Sequence, residues 1–212
     1  MDQPSNPQSA ANTPAGSPVL PDAAPEPQEP AVIRRKDYAP FAWRVPAIRL
    51  DFDLGIETTR VEATLTVEPN PDADAAEDIR LDGDGLVLES VHVDGEERTD
   101  WRRDGEALVV PLGTGEHTLT IVTRILPSEN TQLMGLYASN GMLCTQCEAE
   151  GFRRITFFPD RPDVLSVYTV RMEADRKAFP ILLSNGNPVE EGLLQDGRHF
   201  AEWHDPWPKP SY

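Results

Sequence analysis

Gln146, Glu148 and Glu150 alternate along a charged segment near the middle of the sequence. On an extended chain these side chains would point the same way, because successive strand residues face opposite sides. One amide and two carboxylates on a common face could accept several hydrogen bonds from an ammonium group. A second interpretation stays open, a surface strand on which Arg153 and Arg154 form ion pairs with the glutamates.

The cysteines Cys144 and Cys147 have the spacing of a redox pair or of half a zinc knuckle. A redox pair should lie between a strand and a helix, and a knuckle needs a second pair of ligands close by. The nearest histidines after them, His199 and His204, are more than 50 residues further on and would face opposite sides of a strand. We therefore expect buried, inert thiols and no metal site in this chain.

Other local motifs of catalysis are missing from the sequence. It contains no H-E-x-x-H zinc motif, no serine nucleophile elbow, no phosphate-binding glycine loop and no calcium loop. The run Asp82-Gly-Asp-Gly lacks the ligand spacing of a calcium site, so we interpret it as a tight acidic turn. We expect no catalytic residue in this chain.

The net charge of the chain indicates which classes of partner it can bind. The 212 residues include 19 Lys and Arg against 36 Asp and Glu, a formal net charge of −17. Such acidity repels phosphate backbones and anionic lipid, and no basic stripe is present, so we expect neither nucleic acid nor a membrane as partner. The first 33 residues lack the basic and apolar parts of a secretory signal. We expect a cytoplasmic protein, in keeping with its two cysteines.

Composition divides the chain into two parts. Residues 1–36 are acidic, rich in Pro and Ala, and without aromatic side chains, which predicts a disordered tail. Aromatic and aliphatic residues become frequent from Tyr38 onward. We expect one folded domain over residues 37–212.

Within that domain, apolar residues recur with a period of two, as in Ile48, Leu50 and Phe52, which is typical of half-buried strands. Turn signals such as Asp94-Gly, Asp104-Gly and Asn140-Gly separate the apolar runs. The pattern predicts an all-β fold, a saddle-shaped antiparallel β-sandwich. We predict strands at 48–54, 61–67, 86–93, 107–112, 117–125, 154–158, 166–174, 181–184 and 198–204.

The last fifteen residues, RHFAEWHDPWPKPSY, end beside aromatic side chains and without a polar tail. Terminal aromatic residues usually need a surface on which to pack. We therefore expect this chain to be a piece of a longer polypeptide.

Residues 144–192 closely resemble the amino-terminal domain of the bacterial aminopeptidase N family, whose members are gluzincin zinc aminopeptidases. Their sequence is CTQCEAEGFRRITFFPDRPDVLSVYTVRMEADRKAFPILLSNGNPVEEG. Weaker similarity covers most of residues 37–212, including Tyr38-Ala-Pro-Phe, Leu50-Asp-Phe-Asp-Leu and Trp203-His-Asp-Pro-Trp-Pro-Lys-Pro. The resemblance implies a saddle-like β domain that precedes the catalytic domain of the same polypeptide. It also implies that the chain stops before the last strand of that β domain.

The resemblance further implies a role for Gln146 and Glu148, which match the Gln-x-Glu of the family's active-site wall. Glu148 would anchor the free α-amino group of a peptide substrate, and Gln146 would shape the pocket beside it. The catalytic Zn²⁺ and its ligands would lie outside this chain. The implied function is removal of single residues from the amino end of peptides by the full-length enzyme, with this chain inactive alone.

Two alternatives belong to other functional classes. One is a non-catalytic β-sandwich interaction module that retains the family domain. The other is an unrelated sugar-binding sandwich, which would need clustered aromatic side chains, whereas Trp43, Trp101, Trp203 and Trp207 are scattered along the sequence.

Overall fold

The computed structural model describes residues 34–212, which form strands joined by loops and short 3-10 helices. No helix in this part of the chain is long and apolar enough to cross a bilayer. The strands are β1 (Trp43–Asp53), β2 (Thr59–Pro69), β3 (Asp78–Leu81), β4 (Val87–Val93), β5 (Glu96–Glu97), β6 (Arg102–Asp104), β7 (Ala107–Pro111), β8 (His117–Ile125), β9 (Gly135–Ser139), β10 (Met142–Gln146), β11 (Ser166–Asp175), β12 (Asn187–Leu193) and β13 (Arg198–Lys209). The 3-10 helices are Arg35–Asp37, Pro127–Glu129, Phe152–Arg154 and Gln195–Gly197.

An eight-stranded sheet organises the domain, in the order β12-β13-β11-β1-β2-β8-β4-β5. Leu50 of β1 lies opposite Ala63 of β2 and Val170 of β11. The first pairing is antiparallel and the second parallel, so the sheet is mixed at β1–β11 where we expected antiparallel strands throughout. The prediction of an all-β fold is confirmed.

A second layer, the three-stranded sheet β3-β7-β6, shares one core with the large sheet. Leu65 of β2 lies in the same buried cluster as Ile79 and Leu81 of β3 and Leu108 of β7, and all four are fully buried. Each such side chain contributes roughly 1.5–3 kcal/mol by its removal from water. The two layers form the sandwich that the alternating pattern predicted.

The opposite face of the large sheet carries several ion pairs. Arg49 pairs with Asp51 and Glu202, each at 2.9 Å, and Arg171 pairs with Glu173 at 2.9 Å. These residues alternate with buried ones along their strands, which is why a period of two was visible in the sequence.

Two predicted strands are wrong. Segment 154–158 is instead a 3-10 turn followed by irregular chain, in which the N–H of Ile155 donates to Phe152 O at 2.9 Å. Residues 155–158 are all buried, so they lack the alternation that marks a half-buried strand. Segment 181–184 also lies outside the strands; the indole N–H of Trp203 donates to Leu182 O at 3.2 Å.

The other predicted strands overlap observed ones, and six observed strands were not predicted, namely β3, β5, β6, β9, β10 and β12. The Asn140-Gly141 turn signal joins β9 and β10, as expected for a hairpin. Most of the predicted disordered tail, residues 1–33, lies outside the described residues. Its last part, 34–36, contributes to the 3-10 helix Arg35–Asp37.

Candidate functional site

The hairpin β9–β10 leads into the segment that carries the candidate residues. Gln146 is the last residue of β10 and lies opposite Gly135 of β9. Beyond it the chain turns, since the N–H of Gly151 donates to Cys147 O at 3.0 Å and Glu150 has a φ of 67°. The expectation that Gln146, Glu148 and Glu150 share one face of a strand is therefore wrong.

The turn nevertheless brings Gln146 and Glu148 together. Nε2 of Gln146 donates to the backbone oxygen of Glu148 at 2.8 Å, and both side chains are exposed. Within residues 34–212, the carboxylate of Glu148 has no ion-pair or hydrogen-bond partner. An external cation could therefore bind this carboxylate without displacing an internal one.

The neighbouring arginines pair with other acids. Nε of Arg153 lies 3.0 Å from Oδ2 of Asp160, and Nη2 of Arg153 lies 3.5 Å from Oε1 of Glu150. Arg154 forms its ion pair with Asp84. The alternative interpretation, arginines neutralising the glutamates, thus holds for Glu150 and not for Glu148.

Asp160 holds this segment in place through hydrogen bonds to Arg153. Its side chain is 1% exposed and accepts hydrogen bonds at Oδ2 from the backbone N–H of Arg153 at 3.1 Å and from Nε of Arg153 at 3.0 Å. The hydroxyl of Ser211 donates to the other oxygen. Sequence reasoning did not single out Asp160. The signal was a carboxylate directly after the mostly apolar run 155–159.

The Asp82-Gly-Asp-Gly run, predicted as a tight acidic turn, is a bend between β3 and β4 that supports the same segment. The N–H of Asp82 donates to Phe158 O at 2.9 Å, and Phe158 returns a bond to Asp82 O at 3.1 Å. A side chain at Gly83 would place its Cβ 2.2 Å from the ring of Phe157. The turn therefore packs directly against the chain that follows the candidate site.

Both cysteines are free and half-buried, rather than fully buried as expected. Burial, with a smaller contribution from nearby Asp160, raises the pKa of the Cys147 thiol to about 11. This thiol is protonated at neutral pH, which suits an inert side chain better than a redox nucleophile.

The two histidines of β13 contact different groups. His199 Nε2 lies 2.7 Å from Phe179 O, whereas His204 Nδ1 lies 3.0 Å from the hydroxyl of Thr169. Within residues 34–212, no three His, Cys, Asp or Glu side chains lie together in a way that could hold a metal ion. The described residues therefore offer no set of ligands for the zinc that the resemblance implies.

Comparison with known proteins identifies relatives of this chain. Residues 38–212 match the family model of the Peptidase M1 N-terminal domain. Aminopeptidase N of Caulobacter vibrioides is 51% identical over 185 residues, which cover 86% of this chain and 21% of that protein. Aminopeptidase N of Escherichia coli is 45% identical over 185 residues, with 87% and 21% covered. The chain spans about a fifth of the length of these curated relatives.

Solved structures show the same domain. Aminopeptidase A of Legionella pneumophila, in complex with aspartic acid, has a TM-score of 0.77 and 34% identity, over 84% of this chain and 21% of that one. An M1 zinc metallopeptidase mutant of Deinococcus radiodurans, bound to a Tyr-Ser-Ala substrate, has a TM-score of 0.68 over 80% of this chain and 40% of that one. At 19% identity, the second shares the fold alone. This chain therefore belongs to the peptidase M1 family, whose amino-terminal domain it carries.

Proposed function

We propose that this chain is the amino-terminal, substrate-contacting domain of a zinc-dependent aminopeptidase that removes single residues from the free amino end of peptides. Its family membership and the names of its relatives support this proposal. The relatives are about five times longer, so the catalytic domain and the Zn²⁺ ligands would lie in the remainder of the same polypeptide.

The observation that carries the proposal is the carboxylate of Glu148, which has no partner among residues 34–212 although Arg153 and Arg154 lie close by in sequence. In the full-length enzyme, Glu148 would bind the α-ammonium of the substrate. An α-amino group has a pKa near ~8, so most of it is cationic at neutral pH. Exclusion of water from the assembled site would strengthen this attraction.

Such a contact would make the enzyme an exopeptidase. An internal peptide bond has no ammonium group to offer, so its binding would desolvate the Glu148 carboxylate without a partner. Gln146 would contact the same end of the substrate. Its hydrogen bond to the backbone oxygen of Glu148 would hold the Gln146 amide beside that residue.

Kinetics of the full-length protein test the proposal. The variant Glu148→Gln removes the charge with little change in shape, so KM for an unblocked peptide should rise by about 10- to 100-fold. Gln146→Ala should raise KM less. An exposed glutamate on β5, changed in Glu96→Gln, is the matched control and should leave KM unchanged. An unaltered kcat/KM in both site variants would refute the substrate-binding role of Gln146 and Glu148. Zinc-dependent turnover by the 212-residue chain alone would refute the expectation that this chain is inactive without the catalytic domain.

A second candidate function, the non-catalytic interaction module, is supported by one feature of the surface. Ile181, Leu183, Val189 and Leu193 are exposed apolar side chains on β12 or in the segment that precedes it. Exposed apolar patches often mark interfaces between proteins. Peptide hydrolysis by the full-length gene product would exclude this candidate, and a stable, inactive product of 23.5 kDa in the source cells would favour it.

We propose the cytoplasm as the location. Cys144 and Cys147 are both free although only three positions separate them, which suits a reducing compartment. Localisation of the full-length protein by cell fractionation would test this.

A further inference from the structure

Arg153 joins the turn that carries Glu148 to the interior of the domain. Its Nη2 lies 3.5 Å from Oε1 of Glu150, which is in the turn, and its Nε lies 3.0 Å from Oδ2 of the buried Asp160. A third acid, Asp82, is 4.0 Å from Nη2. Nη2 also donates to the backbone oxygen of Asp160 at 2.9 Å, so the guanidinium binds the interior through Nε and Nη2 and the turn through Nη2 alone.

Glu148 and Glu150 are two residues apart in this turn, yet they differ in their pairing. Glu150 shares Arg153 with Asp160, whereas the Glu148 carboxylate has no cation within residues 34–212. A guanidinium has five N–H donors and can bind several carboxylates. Arg153 pairing with Glu148 would therefore compete with any external ammonium for that carboxylate.

We propose that Glu150 is a positioning residue of the Glu148 site. Its carboxylate holds the guanidinium of Arg153, which fixes the turn and keeps this internal cation off Glu148. Glu150 does not contact the substrate in this arrangement and acts through Arg153. The inference rests on the proposed function, because it requires that Glu148 binds the substrate ammonium.

The effect should appear in KM and not in kcat. Without the charge of Glu150, Nη2 of Arg153 keeps its hydrogen bond to Asp160 O but loses its carboxylate partner in the turn, so the turn is free to bring Glu148 toward the guanidinium. The substrate ammonium then competes with an internal cation for the same carboxylate. Because Glu150 acts through Arg153 on the binding of the ammonium, the rate of the bound substrate should not change.

The first test uses steady-state kinetics of the full-length enzyme with a chromogenic amino-acid amide. The side chain of Glu150 is 69% exposed, so Glu150→Gln should fold normally. We expect KM to rise about two- to fivefold at unchanged kcat, the range of a partly exposed ion pair. Glu96→Gln, which removes the same charge on β5, should leave KM unchanged. Equal KM values for the two variants would overturn the proposal.

The second test asks whether the effect passes through Arg153. The double variant Arg153→Gln with Asp160→Asn removes the guanidinium and its buried partner together, so that no buried charge is left alone. In this background, Glu150→Gln should cause no further rise in KM. A rise as large as in the wild-type background would mean that Glu150 acts directly on the substrate, and the positioning role would be wrong.

Glu148→Gln, measured in parallel, separates this inference from the proposed function. An increase in KM for Glu148→Gln without one for Glu150→Gln would overturn the positioning role and leave the ammonium site intact. No increase for Glu148→Gln would overturn the ammonium site itself, and the role of Glu150 with it.

Discussion

The substitution Asp160→Asn should destabilise the domain, because the carboxylate is a buried acceptor for three donors. The backbone N–H and Nε of Arg153 lie 3.1 and 3.0 Å from Oδ2, and Ser211 donates to Oδ1. Asparagine keeps the shape of the side chain but has one carbonyl oxygen and one amide group. Either the donors of Arg153 or the hydroxyl of Ser211 would then face the amide group, which is itself a donor. Arg153 would also lose its buried counter-charge.

The expected size follows from the burial of the pair. Removal of one partner from a buried ion pair costs about 3–5 kcal/mol. The side chain of Arg153 is 23% exposed, so water can recover part of this loss, and about 2–3 kcal/mol is expected. In a domain of this size each kcal/mol lowers Tm by roughly 2–4 °C, which gives a fall of roughly 4–12 °C.

Thermal unfolding followed by circular dichroism at pH 7.5 measures this change. The control is Asp100→Asn, which removes an acid from an exposed pair with Arg98 and should leave Tm unchanged within error. A fall of less than about 1 °C for Asp160→Asn would refute the view that this carboxylate holds the segment after Glu148 in place.

Three further predictions concern the turn, its cysteine and a distant hydrogen bond between two side chains. In Gly151→Ala, the new Cβ would lie 2.3 Å from Gln146 O, so Tm should fall by an amount corresponding to about 1–3 kcal/mol; an unchanged Tm would contradict this packing. Burial raises the pKa of the Cys147 thiol to about 11, so iodoacetamide at pH 8 should alkylate it at least ~100-fold more slowly in the native than in the denatured protein. Peptide mass spectrometry measures both rates, and equal rates would contradict the burial. A hydrogen bond with His117 lowers the pKa of Asp94, so Asp94→Asn should have a lower Tm than wild type at pH 7. The difference in Tm should close as the pH falls below about 4, where the wild-type carboxyl group becomes protonated. A difference in Tm that does not change with pH would refute this prediction.

The parts of the fold that could be predicted are those with local signals. Alternation identified β1 and β2, because each buries one face in the shared core and exposes the other. The hairpin turn at Asn140-Gly141 was also visible, although β9 and β10 were not. These two strands are short, and most of their residues are half-buried or exposed, so their apolar residues do not alternate clearly.

The support of the candidate site could not be predicted, because it depends on contacts between distant parts of the chain. Asp160 contacts Ser211 and Asp82, which are 51 and 78 positions away in sequence. No local pattern carries such pairings. Gln146 and Glu148 were found through the family motif, whereas the role of Arg153 required the geometry of the turn.

A crystal structure of the full-length protein with a bound amino acid would test the role of Glu148 most directly. We predict that the ligand nitrogen lies within about 3 Å of a Glu148 carboxylate oxygen. Arg153 should still form its ion pairs with Glu150 and Asp160. A ligand whose ammonium is paired with another acid, while Glu148 faces solvent or binds Arg153, would contradict the proposed site.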